Sequence, residues 1–278
     1  MSDAFGPGRW FRGNLHTHSD RSDGVAPPEQ VVAEYRAAGY DFLVLTDHYE
    51  ERWGWTVTDT TPARDDGFTT LLGAELSSAD WDDEDVFWVN AIGLPADFAA
   101  PHAEAIARAA EAGAYNVLLH PGLTNLLDFD ALPLDDLHAV ETYNVNAALS
   151  WPDQAEGRYA VDALLARGRR LHVTAGDDAH WHQPWDRFGA WVEVRAQELR
   201  PDALLAALRE RDALLGRTVS WAGGEGVGAG IDEAGALRVR LPGGGETTVT
   251  AGEIHLGPDG IGPRAPAAGV GDREPPVR

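Results

Sequence analysis

The 278-residue chain contains no cysteine. Disulfides, zinc–thiolate sites and cysteine nucleophiles are therefore excluded, and any metal must be held by nitrogen and oxygen. Lysine is absent too, since all 22 basic residues are arginines. That excludes a Schiff-base lysine and a phosphate-loop lysine. No apolar run approaches the roughly 20 residues of a membrane-spanning helix. The start, MSDAFGPGRW, has no hydrophobic signal core, so a cytoplasmic location is expected. Positive charge is scarce: 22 basic residues stand against 45 acidic ones, a net charge of −23. An acidic surface lacks the basic stripe that nucleic acid requires. The expected partner is a small-molecule substrate, not a nucleic-acid polymer or a membrane. The rest is ordinary for a globular chain, with 44% hydrophobic and 24% charged residues, enough for a full core.

Short β-like runs alternate with helical ones, the pattern of a mostly parallel sheet with helices outside. The stretch from Asp41 to Thr46, DFLVLT, is almost continuously apolar, as a strand covered on both faces should be. Pro27 and Pro28 start a helix that Gly39 ends, following the usual asymmetry of helix termini. After about Leu215 glycine-rich turns separate short runs, which reads as a small antiparallel β appendage. The division expected is a barrel over residues 1–215, an appendage over 216–257 and a disordered tail over 258–278 rich in Pro, Gly and Ala.

What the chain does have is ligand-type residues at the ends of its strands. They are His16-Thr17-His18 with Asp23, then Thr46-Asp47-His48, Gly73-Ala74-Glu75, His120-Pro121-Gly122 and Asp177-Asp178-Ala179-His180. Neutral imidazoles and carboxylates suit zinc, manganese and iron. One His-x-His is weak evidence, because two histidines on a strand need only be solvated neighbours. Five ligand-type clusters in strand-end contexts are strong evidence, since barrel enzymes gather their chemistry on that face.

These motifs resemble the polymerase and histidinol phosphatase (PHP) family of metallohydrolases. The resemblance runs from Arg12 to about Leu208, carried by HTHSDRSDG, YDFLVLTDH, GAE, HPG and GDDAH. It implies a distorted (β/α)7 TIM-like barrel of α/β class, binding two or three divalent ions, Mn, Fe or Zn. Carried over by position, His16, His18, Glu75 and Asp178 would hold a first ion, and Asp23, His48 and His180 a second. Glu75 and His120 would hold a third, with Glu75 bridging. At one place the chain departs from the family: Trp88 stands where the family has a further histidine. The third site is thus one ligand short unless Glu141, water or an acid of Asp82-Asp83-Glu84-Asp85 completes it.

The implied activity is hydrolysis of a small-molecule phosphate ester, a nucleotide or another aromatic phosphate, by a metal-bound hydroxide. His180, Asp178 and Glu75 are the candidate catalytic residues, with His180 or a water as proton donor to the leaving group. Asp47 and Asp177, each next to a ligand, are candidate orienting acceptors. Arg21, Arg52 and Arg187 could grip a phosphate, and Trp53 and Trp181 could line an aromatic pocket. Hydrolysis of a carboxylic ester, carbamate or amide is the alternative, and a non-catalytic metal-binding module the third reading.

Overall fold

A computed structural model describes residues 8–79, 86–126, 128–130, 132–169, 171–209, 218–221, 223–231, 237–249 and 255–256. The tail from Pro258 and the Asp82–Asp85 run lie outside the described residues. The chain divides into two compact units, Arg9–Arg209 and a second comprising Met1–Gly8 and Glu210–Arg278.

The first unit is built on eight strands: β1 (Arg9–Asn14), β2 (Phe42–Leu45), β3 (Thr69–Ser77), β4 (Trp88–Ile92), β5 (Tyr115–Leu118), β6 (Ala139–Asn144), β7 (His172–Gly176) and β8 (Val192–Ala196). Their order in the sheet is β7-β6-β5-β4-β3-β2-β1-β8, a mixed sheet curled into a nearly closed barrel, in keeping with the expected distorted (β/α)7 architecture. Strands β1, β2 and β3 run parallel, as do β5, β6 and β7. Two strands break the parallel pattern. Strand β4 is antiparallel to both β3 and β5, and β8 is antiparallel to β1. The β3–β4 link spans only residues 78–87, short of the dozen or more that a parallel crossover needs.

Among the described residues five α-helices accompany these strands: α1 (Pro28–Ala37), α2 (Ala105–Glu111), α3 (Val145–Ser150), α4 (Arg158–Ala166) and α5 (Pro201–Arg209). Helix α1 has Pro28 at its first turn, where the missing N–H costs nothing, and the chain leaves it through Gly39 at φ 85°. Every residue of β2 and β3 is buried. Their Leu and Val side chains on the two faces join different apolar clusters. Phe42 and Val44 meet Phe11, Leu15 and Leu71, while Leu43 and Leu45 meet Val31, Val32 and Tyr35 of α1. This double covering explains the continuous apolar run in the sequence.

The seam between β1 and β7 is closed beyond the strand ends. Thr17 pairs with Ala179 in an isolated parallel bridge, and the Asp178 N–H donates to the His16 carbonyl at 2.9 Å. The ligand-bearing segments after β1 and β7 therefore lie side by side. The second unit holds an antiparallel sheet of β9 (Thr218–Trp221), β10 (Gly224–Ile231), β11 (Leu237–Arg240), β12 (Glu246–Val249) and β13 (His255–Leu256), in the order β12-β11-β10-β9-β13. Val219, Leu237 and Val239 form its small core. Among the described residues no helix is long and apolar enough to cross a membrane.

Candidate metal centre

The segments that follow β1, β2, β5 and β7, together with β3 itself, bring the ligand-type residues to one end of the barrel. Two clusters form. His16, His18, Glu75 and Asp178 make the first; His18, Asp23, His48 and His180 make the second. In the first, His16 Nε2 lies 3.3 Å from Glu75 Oε2 and 3.2 Å from Asp178 Oδ1. His18 Nε2 lies 3.1 Å from each of the same two oxygens. Ligands bound at 2.0–2.1 Å around a tetrahedral ion are about 3.3 Å apart, the edge that such bond lengths dictate. These four separations match that edge, and all four donor atoms lie within 4.8 Å of one another, close enough to share one divalent cation. In the second cluster Asp23 Oδ2 lies 3.3 Å from His48 Nε2 and 3.2 Å from His180 Nε2. The His18 and His180 rings stack with centroids 4.3 Å apart, and His18 Nδ1 is 3.5 Å from Asp23 Oδ1.

The imidazoles are fixed by partners behind them. Glu141, at the heart of β6, faces His16 Nδ1 at 2.9 Å through Oε1. Its Oε2 accepts from the His120 backbone N–H at 3.2 Å and from Asn144 Nδ2 at 3.0 Å. A proton on His16 Nδ1 leaves the Nε2 lone pair aimed at the cluster, the arrangement that orients metal-binding histidines. His180 Nδ1 donates to the Asp178 carbonyl at 2.8 Å, which likewise turns Nε2 inward. Asn144 Nδ2 also donates to Asp178 Oδ2 at 3.1 Å, while its Oδ1 caps α3 by accepting from Ala147 N–H at 2.8 Å. Gly176 gives room for this: a Cβ there would run into Glu141 Oε1 and stand 2.7 Å from His16 Cβ. Asp178 and His120 both take positive φ, 52° and 23°, an uncommon backbone state for side-chain-bearing residues that concentrates at functional sites.

Charge confirms how tightly the groups are matched. Burial opposes a charged His18, but hydrogen bonds to Asp178 and Glu75 push its pKa up to about 10. Burial opposes the charge on His16 as well, and Asp178, Glu141 and Glu75 more than offset it, holding its pKa well above the ordinary range. His120 is shifted upward the same way, burial being outweighed by Glu75. For Glu75, Asp178 and Asp23 burial works against ionisation, yet the surrounding imidazoles hold all three carboxyls below the usual range. Protons on the histidines neutralise the acids, and a divalent cation would displace them.

His120 Nε2 faces Glu75 Oε1 at 3.3 Å, while its buried Nδ1 has no hydrogen-bond partner among the described residues. Glu141, one of the groups that could complete a third site here, has both oxygens engaged with His16, His120 and Asn144. Trp88 stands with its ring 5.2 Å from His48 in a T-shaped contact, and Trp53 stacks on His48 at 5.2 Å. The two indoles thus hold the His48 ring from two directions.

Asp47 and Asp177 accept from groups other than ligand imidazoles. Asp47 accepts from Ser19 N–H and from the hydroxyls of Ser19, Ser22 and Thr58, and so shapes the loop that carries Asp23. Asp177 accepts from Tyr35 and from the N–H groups of Phe188, Gly189 and Ala190. Trp181 is buried against Tyr35 and Phe188. Arg187 lies over the Trp181 ring at 4.6 Å and pairs with Glu34. Arg52 lies over Trp53 at 3.9 Å and bonds Glu50, and Arg21 is exposed beside Asp20. The geometry also brings in residues with no motif to mark them, Asn146 on α3 and His182 two residues past His180. Asn146 Nδ2 lies 3.5 Å from His180 Nδ1, and the His182 ring lies parallel to that of His180 at 6.4 Å.

Among solved structures, a two-domain protein of Bacteroides vulgatus containing a predicted PHP-like metal-dependent phosphoesterase aligns over 90% of this chain and 85% of its own, with a TM-score of 0.56 and 18% identity. The fold is PHP-like. Weaker likenesses join a candidate metal-dependent phosphoesterase of Bifidobacterium adolescentis (TM-score 0.46, 17% identity, 64% of this chain and 91% of that one) and PsfC of Pseudomonas syringae (0.42, 20%, 62% and 77%). No family model and no curated protein matches the chain. On the PHP-like barrel of this chain, the two clusters sit at the mouth formed by the segments following β1, β2, β5 and β7.

Proposed function

We propose that the chain is a divalent-metal-dependent hydrolase that cleaves a small-molecule phosphate ester. The observation that carries this reading is the pair of adjoining donor clusters, His16, His18, Glu75 and Asp178 beside Asp23, His48 and His180, with His18 common to both. A bound cation pair would acidify a water and offset the charge developing on the ester oxygens. The first cluster is almost sealed, whereas Asp23 and His180 are 30% and 18% exposed, so the substrate approaches from the second cluster. His180 has Nδ1 on the Asp178 carbonyl and Nε2 on the Asp23 side, which leaves it no proton to donate outward. In this reading His180 is a ligand, and a water protonates the leaving group.

The test is elemental analysis of the purified protein alongside turnover of an aryl phosphate. Two equivalents of manganese, iron or zinc are expected, with activity following occupancy. His18→Ala and Asp178→Ala should abolish turnover while leaving the fold intact. Full activity in either variant would overturn the assignment.

One observation favours a second reading, hydrolysis of a carboxylic ester, carbamate or amide. Arg52 and Arg187 are spent on indole rings and neighbouring acids, and Arg21 points to solvent beside Asp20. A phosphoryl group would have to rely on the cations alone. Parallel assays on an aryl phosphate and an aryl acetate decide between the two, since only the true substrate class should respond strongly to added Mn²⁺ or Zn²⁺.

A further inference from the structure

Beside His180 lies an open pocket of about 280 Å³, between α3 and the loop that follows β7. Its walls are chemically distinctive. Asn146, Ser150, His182 and Gln183 supply polar donors and acceptors, and Asp186 is its one acid. Trp185 and Leu149 form an apolar rim, exposed by 57% and 49%. No arginine lines it. Its one acid, Asp186, is paired with the Arg187 guanidinium at 3.7 Å, so the lining presents polar groups and an apolar rim rather than an arginine fork. Asp186 Oδ2 accepts from the Gln183 N–H at 3.5 Å, and its buried Oδ1 has no hydrogen-bond partner among the described residues.

We infer that this pocket binds the alcohol portion of the ester, and that this portion is an uncharged, hydroxyl-bearing ring of the pyranose sugar class. The inference rests on the hydrolase reading above for the position of the scissile bond at the metal clusters. An indole left largely exposed at a pocket rim offers a flat apolar face, and the C–H face of a sugar ring matches it. Amide, hydroxyl and imidazole groups then pair with the ring hydroxyls, each of which both donates and accepts. The volume falls at the lower limit of small-ligand sites, roughly 300 Å³, room for one ring and not for a dinucleotide.

Ligand-observed saturation-transfer NMR on the metal-loaded protein with methyl α-D-glucopyranoside tests binding directly. Saturable transfer is expected, reduced at least tenfold in Trp185→Ala and in Asn146→Ala, with circular dichroism confirming that both variants fold. A kinetic arm compares kcat/KM for α-D-glucose 1-phosphate with that for methyl phosphate, and a ratio above ten that collapses in Trp185→Ala is expected. Absence of glycoside binding in the wild type, or transfer undiminished in Trp185→Ala, overturns the inference. So does adenosine binding in place of the glycoside, which would make the occupant a flat base. If no phosphate ester is hydrolysed but the glycoside binds as described, the pocket assignment stands and the phosphoesterase reading falls.

Discussion

Replacing Glu141 by Gln tests the proposed metal centre without touching a proposed ligand. In the native protein one carboxylate oxygen faces His16 Nδ1 at 2.9 Å, and the other takes two donors, the His120 N–H at 3.2 Å and Asn144 Nδ2 at 3.0 Å. A glutamine has one acceptor and one NH₂. If its carbonyl serves His16, its NH₂ is turned towards two other donors, and if it serves them, His16 loses its acceptor. Either way a buried donor goes unsatisfied, at a cost of about 1–3 kcal/mol. Losing the carboxylate also lowers the basicity of His16 as a ligand, and partners of this kind typically contribute 10–100-fold to metal affinity. The expected loss is therefore about 10–100-fold in affinity, equivalent to about 1.4–2.8 kcal/mol. Because Glu141 also favours a proton on His16, the variant loses some proton competition too. The deficit should widen as pH rises and narrow as it falls. Competition against a metallochromic chelator at several pH values measures this, with circular dichroism of the metal-free variant as the folding control. Wild-type affinity at every pH would refute the reasoning that Glu141 acts through His16.

Asp23→Ala removes a donor that belongs to the second cluster alone, so elemental analysis should find one equivalent fewer, and loss of both or neither would contradict the two-cluster division. Metal binding should release protons, since His16, His18 and His120 hold theirs above the ordinary range in the metal-free protein. Their raised pKa means that protons compete below it, so apparent affinity should climb with pH toward about 10, the value for His18. Calorimetry in buffers of different ionisation enthalpy reads the release, and none at pH 7 would sink this account. Asp177→Ala leaves Tyr35 and three backbone N–H groups without an acceptor, and should lower the unfolding free energy by at least about 3 kcal/mol. Denaturant titration checks it, an unchanged midpoint being the contrary result.

The legible parts of this fold are those where local chemistry and tertiary role coincide. The run from Asp41 to Thr46 reads as a doubly covered strand because both of its faces are in fact apolar environments. The eight ligand-type residues stand out because carboxylates and imidazoles at strand ends have few other uses. Strand direction was not legible at β4, since its apolar run reads the same either way and only the length of the β3–β4 link bears on it. Helix α3 was hidden as well: its six residues are too few for a helical period, and the Asn144 cap that starts it also bonds Glu141 and Asp178. The sequence marks Trp181 and Arg187 as neighbours of a ligand, but nothing local reveals that the backbone turns them into the Tyr35 cluster. Trp181 does so at φ 67° and Phe188 at φ 65°, states a sequence seldom announces for aromatic residues.

At the barrel's seam, ions held by these clusters would have a second role. Beyond β1 and β7 the links across the wall include the Thr17–Ala179 bridge, the Asp178 N–H on the His16 carbonyl and the pairing of His18 with Asp178 across 160 residues of sequence. A cation held by His16, His18 and Asp178 would act as a clasp on that join. Closure of the cylinder then becomes a function of free metal concentration, by the mass-action gain of about 2.7 kcal/mol at a hundredfold excess over the dissociation constant. On the metal-dependent reading proposed above, a metal-starved cell would hold a protein whose staves are easier to spread.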